Sequence, residues 1–185
     1  LELQPNLAEA MPLISADKKT YTIKVKKGVL FQDDAAFPGG KGRELKAKDF
    51  IFGWKRIALP QLQSPGTWVF DDRVVGWNEF RKKLEGISDL KQREALLQEE
   101  VEGMKALDDY TIQIKLLKPF PQLLYTLAMG FGAPVAQEVT DKYGHDGLNH
   151  RMVGTGPYRL VQYVNGSKVI LEKNPTFRGQ TYPSE

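Results

Sequence analysis

The segment from Met104 to Pro121 constrains the fold more than any other part of the chain. Apolar and polar residues alternate after Asp108-Asp109, which is the pattern of a strand with one buried face. Aspartates favour turns because their side chains bind nearby backbone N–H groups. Pro121 ends the pattern, since proline has no N–H to donate to a sheet. The sequence therefore predicts an antiparallel hairpin with strands at 101–107 and 110–117.

Three further segments predict strands. Residues 20–25 alternate between apolar and polar side chains, as in a half-buried strand. Residues 158–164 and 168–173 flank Asn165-Gly166, and Asn-Gly is the strongest short hairpin signal. We expect a second hairpin there.

Helical periodicity is clearest in residues 47–58, which end before Pro60. A second helix is predicted from Ser88, as its cap, to about Glu100. The apolar stripe of the first helix comprises Ala47, Phe50, Ile51, Trp54, Ile57 and Ala58.

Shorter helices are predicted at 122–129 and 137–143, and residues 61–77 indicate an irregular segment. Strands and helices follow one another without a regular βαβ order. The predicted fold class is therefore α+β, with a mixed sheet and peripheral helices.

Composition excludes several classes of partner. The 26 Lys and Arg residues exceed the 23 Asp and Glu residues by three, and they are interspersed. Without a basic stripe and stacking aromatics, we expect no nucleic acid binding. The absence of cysteine excludes disulfides, thiolate metal sites and a cysteine nucleophile. No apolar run approaches the length of a membrane span, so we expect no membrane-spanning segment in this chain.

No residue pattern indicates catalysis. Asp108-Asp109 could be a pair of catalytic carboxylates, but a turn is the better interpretation. His145 and His150 do not have the spacing of a helical metal pair, and a third ligand is not evident. No serine stands in a Gly-x-Ser-x-Gly context. We therefore predict no catalytic residue, no metal, no cofactor and no enzymatic activity.

Four motifs follow one another along nearly the whole chain. They are residues 6–9 with 17–31, residues 45–50 with 54–60 and Ser64-Pro65, the segment 104–121, and Gly154-Thr155-Gly156-Pro157-Tyr158 with residues 169–177, which include Asn174-Pro175-Thr176-Phe177. In this order they resemble the family 5 extracellular solute-binding proteins, the oligopeptide- and dipeptide-binding type. The chain departs from that pattern at Lys46, where the family usually has a threonine cap, and at 73–84, which has no counterpart.

The resemblance implies part of the type II periplasmic binding protein fold, in its peptide-binding form. Members of the family are far longer than 185 residues, so the chain is expected to be a fragment. Residues 1–133 are similar to the small peripheral domain of these proteins. Residues 134–185 are similar to a helix and a hairpin of the main lobe.

The implied function is that of the substrate-binding component of a peptide ABC importer. Such a protein binds oligo- or dipeptides in a cleft between lobes and delivers them to permease subunits. We expect a monomer in the periplasm or lipid-anchored at the cell surface. The alternatives are the ligand-sensing domain of a transcriptional regulator with the same fold, or a binding protein for nickel, haem or sugar.

Five aromatic residues are candidates for ligand contact. The small domain of the family contributes an aromatic side chain near Trp68, Phe70 and Trp77, although large aromatics mostly pack in cores. Tyr158 and Phe177 correspond to the main lobe near the cleft.

Overall fold

The computed structural model describes residues 2–179, which divide into two compact units. Unit 1 contains the N-terminal residues up to Lys26 together with Lys46–Pro134, and unit 2 contains Lys27–Leu45 and the residues from Val135 onward. Residue 1 of the predicted first domain and residues 180–185 of the predicted second domain lie outside the described part.

The division differs from a single cut after residue 133, because Lys27–Leu45 groups with unit 2. Backbone and side-chain bonds explain this grouping. The N–H of Gln32 donates to the carbonyl of Gly154 at 2.9 Å. The guanidinium of Arg43 donates from Nε to Glu138 at 2.6 Å and from Nη2 at 2.8 Å. The correspondence of the units to a small domain and a main lobe stays a prediction.

A four-stranded antiparallel sheet forms the centre of unit 1. Its strands are β1 (Leu13–Ile14), β2 (Thr20–Lys24), β3 (Met104–Asp108) and β4 (Thr111–Lys115), in the spatial order β1-β2-β4-β3. The hairpin predicted between 101 and 117 is confirmed as β3 and β4. The pairing of β2 with β4 joins segments far apart in the chain, and it buries one face of the sheet through Tyr21, Ile112 and Ile114.

Helix α1 (Ala47–Arg56) packs on β3 and β4, as its apolar stripe predicts. It ends two residues earlier than expected. Lys46 precedes the helix and lacks the hydroxyl of a threonine cap. The Asp49 carboxylate supplies a bond at this end, since it accepts from the Lys46 N–H at 2.8 Å.

The segment after α1 is more helical than predicted. Helix α2 (Trp77–Glu85) was not predicted, although Trp77, Phe80 and Leu84 are all buried. Gly76 precedes it with a φ of 77°, a conformation that favours glycine.

Helix α3 (Leu90–Leu96) is shorter than the prediction, which ran to about residue 100. Its cap is Asp89 and not Ser88, because the Asp89 carboxylate accepts from the Gln92 N–H at 2.8 Å.

Two short helices and a hairpin complete the described elements. Helix α4 (Leu123–Leu127) belongs to unit 1, and α5 (Gln137–Tyr143) belongs to unit 2. Strands β5 (Tyr158–Val164) and β6 (Lys168–Lys173) form the second predicted hairpin, which is confirmed. Among the described residues, no helix is both long and apolar enough to cross a membrane.

Candidate functional site

Two of the predicted ligand-contact residues lie in the core of unit 1. Phe70 and Trp77 are both 0% exposed. Their ring centroids are 5.0 Å apart, and the Trp54 ring lies 5.7 Å from Phe70. In this arrangement neither ring offers surface to a ligand.

The Trp77 indole also organises the polar groups beside this core. Its Nε1 donates to Asp71 at 2.7 Å, and Arg81 donates to the other oxygen of the same carboxylate at 2.6 Å. Asp71 is thus bound on both oxygens and turned toward α2.

Trp68 is the predicted aromatic that unit 1 does present at its surface, with 41% of its area exposed. The Arg73 guanidinium lies close to two rings, with its central carbon 5.9 Å from the Trp68 centroid and 4.5 Å from the Phe120 centroid. Its Nη1 donates to the Trp68 carbonyl. We call Trp68, Arg73 and Phe120 the tryptophan–arginine surface.

One backbone bond and one side-chain bond join this surface to the sheet and its flanking residues. The Leu117 N–H donates to the Arg73 carbonyl at 2.7 Å, which joins the segment to the end of β4. The Tyr21 hydroxyl donates to the Phe120 carbonyl at 3.4 Å. Sequence reasoning did not single out Arg73 or Phe120 as site residues, because Arg73 lies in the segment without a family counterpart and Phe120 was part of the signal that ends a strand.

A surface groove of about 590 Å³ lies beside α4. Its wall is mostly apolar, and α4 also contacts the turn that carries Trp68. Met11 and Tyr125 are each about half exposed there. The lining residues are Glu2, Leu3, Met11, Pro121, Leu124 and Tyr125.

The two candidates in unit 2, Tyr158 and Phe177, are both partly buried. Tyr158 belongs to the 154–158 loop and Phe177 to the Asn-Pro motif, and hydrogen bonds join these two motifs. The Asn174 side chain donates from Nδ2 to the Gly156 carbonyl at 2.8 Å, and its backbone N–H donates to Pro157 at 2.8 Å. The 154–158 loop is therefore held in place by the Asn-Pro motif that follows β6.

Asp108 acts as a turn residue, as interpreted from the sequence. One carboxylate oxygen accepts from the Tyr110 N–H and the other from the Thr111 hydroxyl, both at 2.7 Å. The bond from Thr111, followed by the bond from Tyr110, holds the pKa of Asp108 below its ordinary value.

Asp108→Ala is expected to lower stability at neutral pH and to have little effect in strong acid. Because the folded-state pKa is lowered, the stabilising contribution is present above the pKa of the unfolded chain. It is lost as the pH falls through the lower pKa of the folded state. Urea unfolding of both proteins at about pH 7 and about pH 2 measures this. Equal differences at the two pH values would contradict the assignment.

The structure describes no metal centre. Among residues 2–179, no group of three or more histidine, aspartate or glutamate side chains could hold a metal ion. The His150 ring lies against Tyr163 on β5, with centroids 5.2 Å apart.

Comparison with known proteins identifies the class. The family model for bacterial extracellular solute-binding proteins, family 5, matches residues 2–185. The chain belongs to this family of binding proteins. Family membership also confirms the prediction that it is not an enzyme.

Individual relatives match almost the entire chain. The periplasmic oligopeptide-binding protein OppA of Escherichia coli is 26% identical over 94% of this chain. The dipeptide-binding protein of the same organism is 31% identical over 91%. In each case the match covers 28% of the relative, so the chain spans less than a third of their length.

A solved structure shows the same α+β fold. The ABC transporter-associated periplasmic binding protein DppA from Helicobacter pylori, in complex with the peptide STSA, superimposes with a TM-score of 0.67. It is 27% identical, and the match covers 96% of this chain and 32% of that chain.

Proposed function

We propose that this chain serves in the substrate-binding component of a peptide ABC importer and contributes to binding oligo- or dipeptides. The observation that carries the proposal is the match of nearly the whole chain to relatives named for peptide binding, one of them at 31% identity. The peptide in the Helicobacter pylori complex supports the same ligand class.

The proposal includes location and partners. The relatives are periplasmic, which supports a place in the periplasm or at the cell surface through a lipid anchor. The partners would be a peptide and the permease subunits of the importer, and the protein would be a monomer. Unit 1 would correspond to the small peripheral domain and unit 2 to part of the main lobe.

Trp68 is the aromatic residue best placed to contact a peptide. Trp68 is 41% exposed, and the turn that carries it contacts α4, the helix whose Leu124 and Tyr125 line the mostly apolar groove. Binding proteins that accept many peptides draw affinity from main-chain bonds and leave side chains in adaptable apolar pockets. An exposed aromatic near such a groove suits that requirement.

Trp68→Ala is expected to weaken peptide binding by about tenfold, the effect of losing roughly 1.4 kcal/mol of contact energy. Isothermal titration of the full-length protein with a mixed di- to tetrapeptide pool measures the change. Leu107→Ala is the control, since Leu107 is an exposed apolar residue on β3. Failure of the unaltered full-length protein to bind any peptide would count against the function. Equal affinity of Trp68→Ala would remove Trp68 from the site.

A further inference from the structure

We propose that the Arg73 guanidinium is a carboxylate-binding subsite that selects ligands with a carboxylate next to an apolar side chain. The proposal deepens the proposed function and rests on it. Its basis is an arginine that is held in place but has no charged partner among the residues that the structure describes.

Arg73 has no ion pair within the described part of the chain. Other arginines of the protein do have carboxylate partners, as in Arg81 with Asp71 and Arg43 with Glu138, each at 2.6 Å. No carboxylate among residues 2–179 pairs with Arg73 in this way. A partly buried guanidinium gains most from a bound carboxylate when no internal one competes.

The two acidic residues closest in sequence are engaged elsewhere. Asp71 binds Trp77 and Arg81 through its two oxygens. Asp72 accepts from the side-chain amide of Asn78 at 2.6 Å. Both carboxylates bind side chains of α2, and neither pairs with Arg73.

The guanidinium is oriented before any ligand arrives. Nη1 donates to the Trp68 carbonyl and, at 3.4 Å, to the Asp71 carbonyl. The Phe120 ring, 4.5 Å away, supports the guanidinium plane. Among the described residues, no acceptor occupies Nε or Nη2. These two nitrogens form the edge of the group that binds a carboxylate with two parallel hydrogen bonds.

The aromatic rings near Arg73 favour a ligand that carries an apolar side chain beside its carboxylate. The Trp68 and Phe120 rings are both close to the Arg73 guanidinium, and Arg73 is partly buried. A charge pair in such a setting is less screened than one on an open surface. The carboxylate could be an acidic side chain or the carboxyl terminus of a peptide, with an apolar side chain beside it to contact the exposed indole.

Three tetrapeptide probes distinguish a side-chain carboxylate from the carboxyl terminus of the peptide. Ala-Leu-Gln-Ala with an amidated terminus has no carboxylate, Ala-Leu-Glu-Ala amide has one in its side chain, and Ala-Leu-Gln-Ala has one at its terminus. Isothermal titration of the full-length protein is expected to show about tenfold tighter binding of one carboxylate probe than of the neutral probe. Arg73→Met should abolish this preference. Arg73→Lys should retain only part of it, because lysine keeps the charge without the fork.

Lys83→Met is the control, since it removes the same charge from an exposed site on α2. It should leave the preference unchanged. Equal binding of all three probes by the unaltered chain, or a preference that persists in Arg73→Met, would overturn the subsite and leave the proposed function standing. Absence of binding by every probe and by the mixed peptide pool would overturn the proposed function and the subsite together.

Discussion

Trp77→Ala is expected to lower the free energy of unfolding by about 3–5 kcal/mol, the usual cost of removing a buried large aromatic side chain. Trp77 is 0% exposed and lies between Phe70 and Phe80, with centroid distances of 5.0 and 6.1 Å. The substitution leaves a cavity in the aromatic cluster. It also removes the indole donor to Asp71, which is bonded at 2.7 Å.

Trp77→Phe separates the cost of the cavity from the cost of the lost hydrogen bond. It keeps an aromatic ring in the cluster and loses the indole donor, while Arg81 still binds Asp71. Its expected cost is smaller, about 1–3 kcal/mol, from the lost hydrogen bond and the smaller ring. Urea unfolding followed by circular dichroism measures both variants. A cost below about 1 kcal/mol for Trp77→Ala would show that this cluster does not carry the stability of unit 1.

Gly132→Ala is expected to have the second largest effect, a loss of about 1–3 kcal/mol or more. A Cβ at this position would lie 1.9 Å from the Leu127 carbonyl oxygen, which is backbone and cannot rotate away. The chain must therefore shift. A shift would also disturb the bond from Trp54 Nε1 to the Gly132 carbonyl, now 3.1 Å long.

Gly130→Ala is the matched control, two residues away in the same turn. A Cβ there meets nothing within 4 Å, and its backbone does not have a positive φ. Its unfolding temperature should stay close to that of the unaltered protein. Gly132→Ala should unfold several degrees lower. Equal unfolding temperatures for the two variants would contradict the steric argument.

Local signals accounted for most elements. The Asp-Asp and Asn-Gly turns predicted both hairpins because turn residues and alternation act over a few neighbouring positions. Helix α1 followed from a stripe of apolar residues. Helix α2 was missed although its apolar residues stand at helical spacing, because the glycine and proline content before it indicated an irregular segment. Asp89 and Ser88 are both good caps, and only the backbone geometry distinguishes them.

The candidate site was less predictable. Trp68, Phe70 and Trp77 were candidates together because all three are aromatic residues of one segment. In the structure Trp68 is exposed, whereas Phe70 and Trp77 are fully buried. Their spacing could not separate these outcomes, since burial depends on α1 and on the helix that begins at Trp77. Arg73 and Phe120 stand far apart in the chain, and no pattern in either segment indicates that their side chains meet.

By itself, the sequence determined the two hairpins, the first helix and membership in a family of binding proteins, because these depend on short-range propensities and on ordered motifs. The tertiary structure alone decided the pairing of β2 with β4, the grouping of Lys27–Leu45 with unit 2, and the placement of Arg73 against Phe120. Such contacts join residues distant along the chain, and their stability comes from burial and bonding that form only when the whole unit folds.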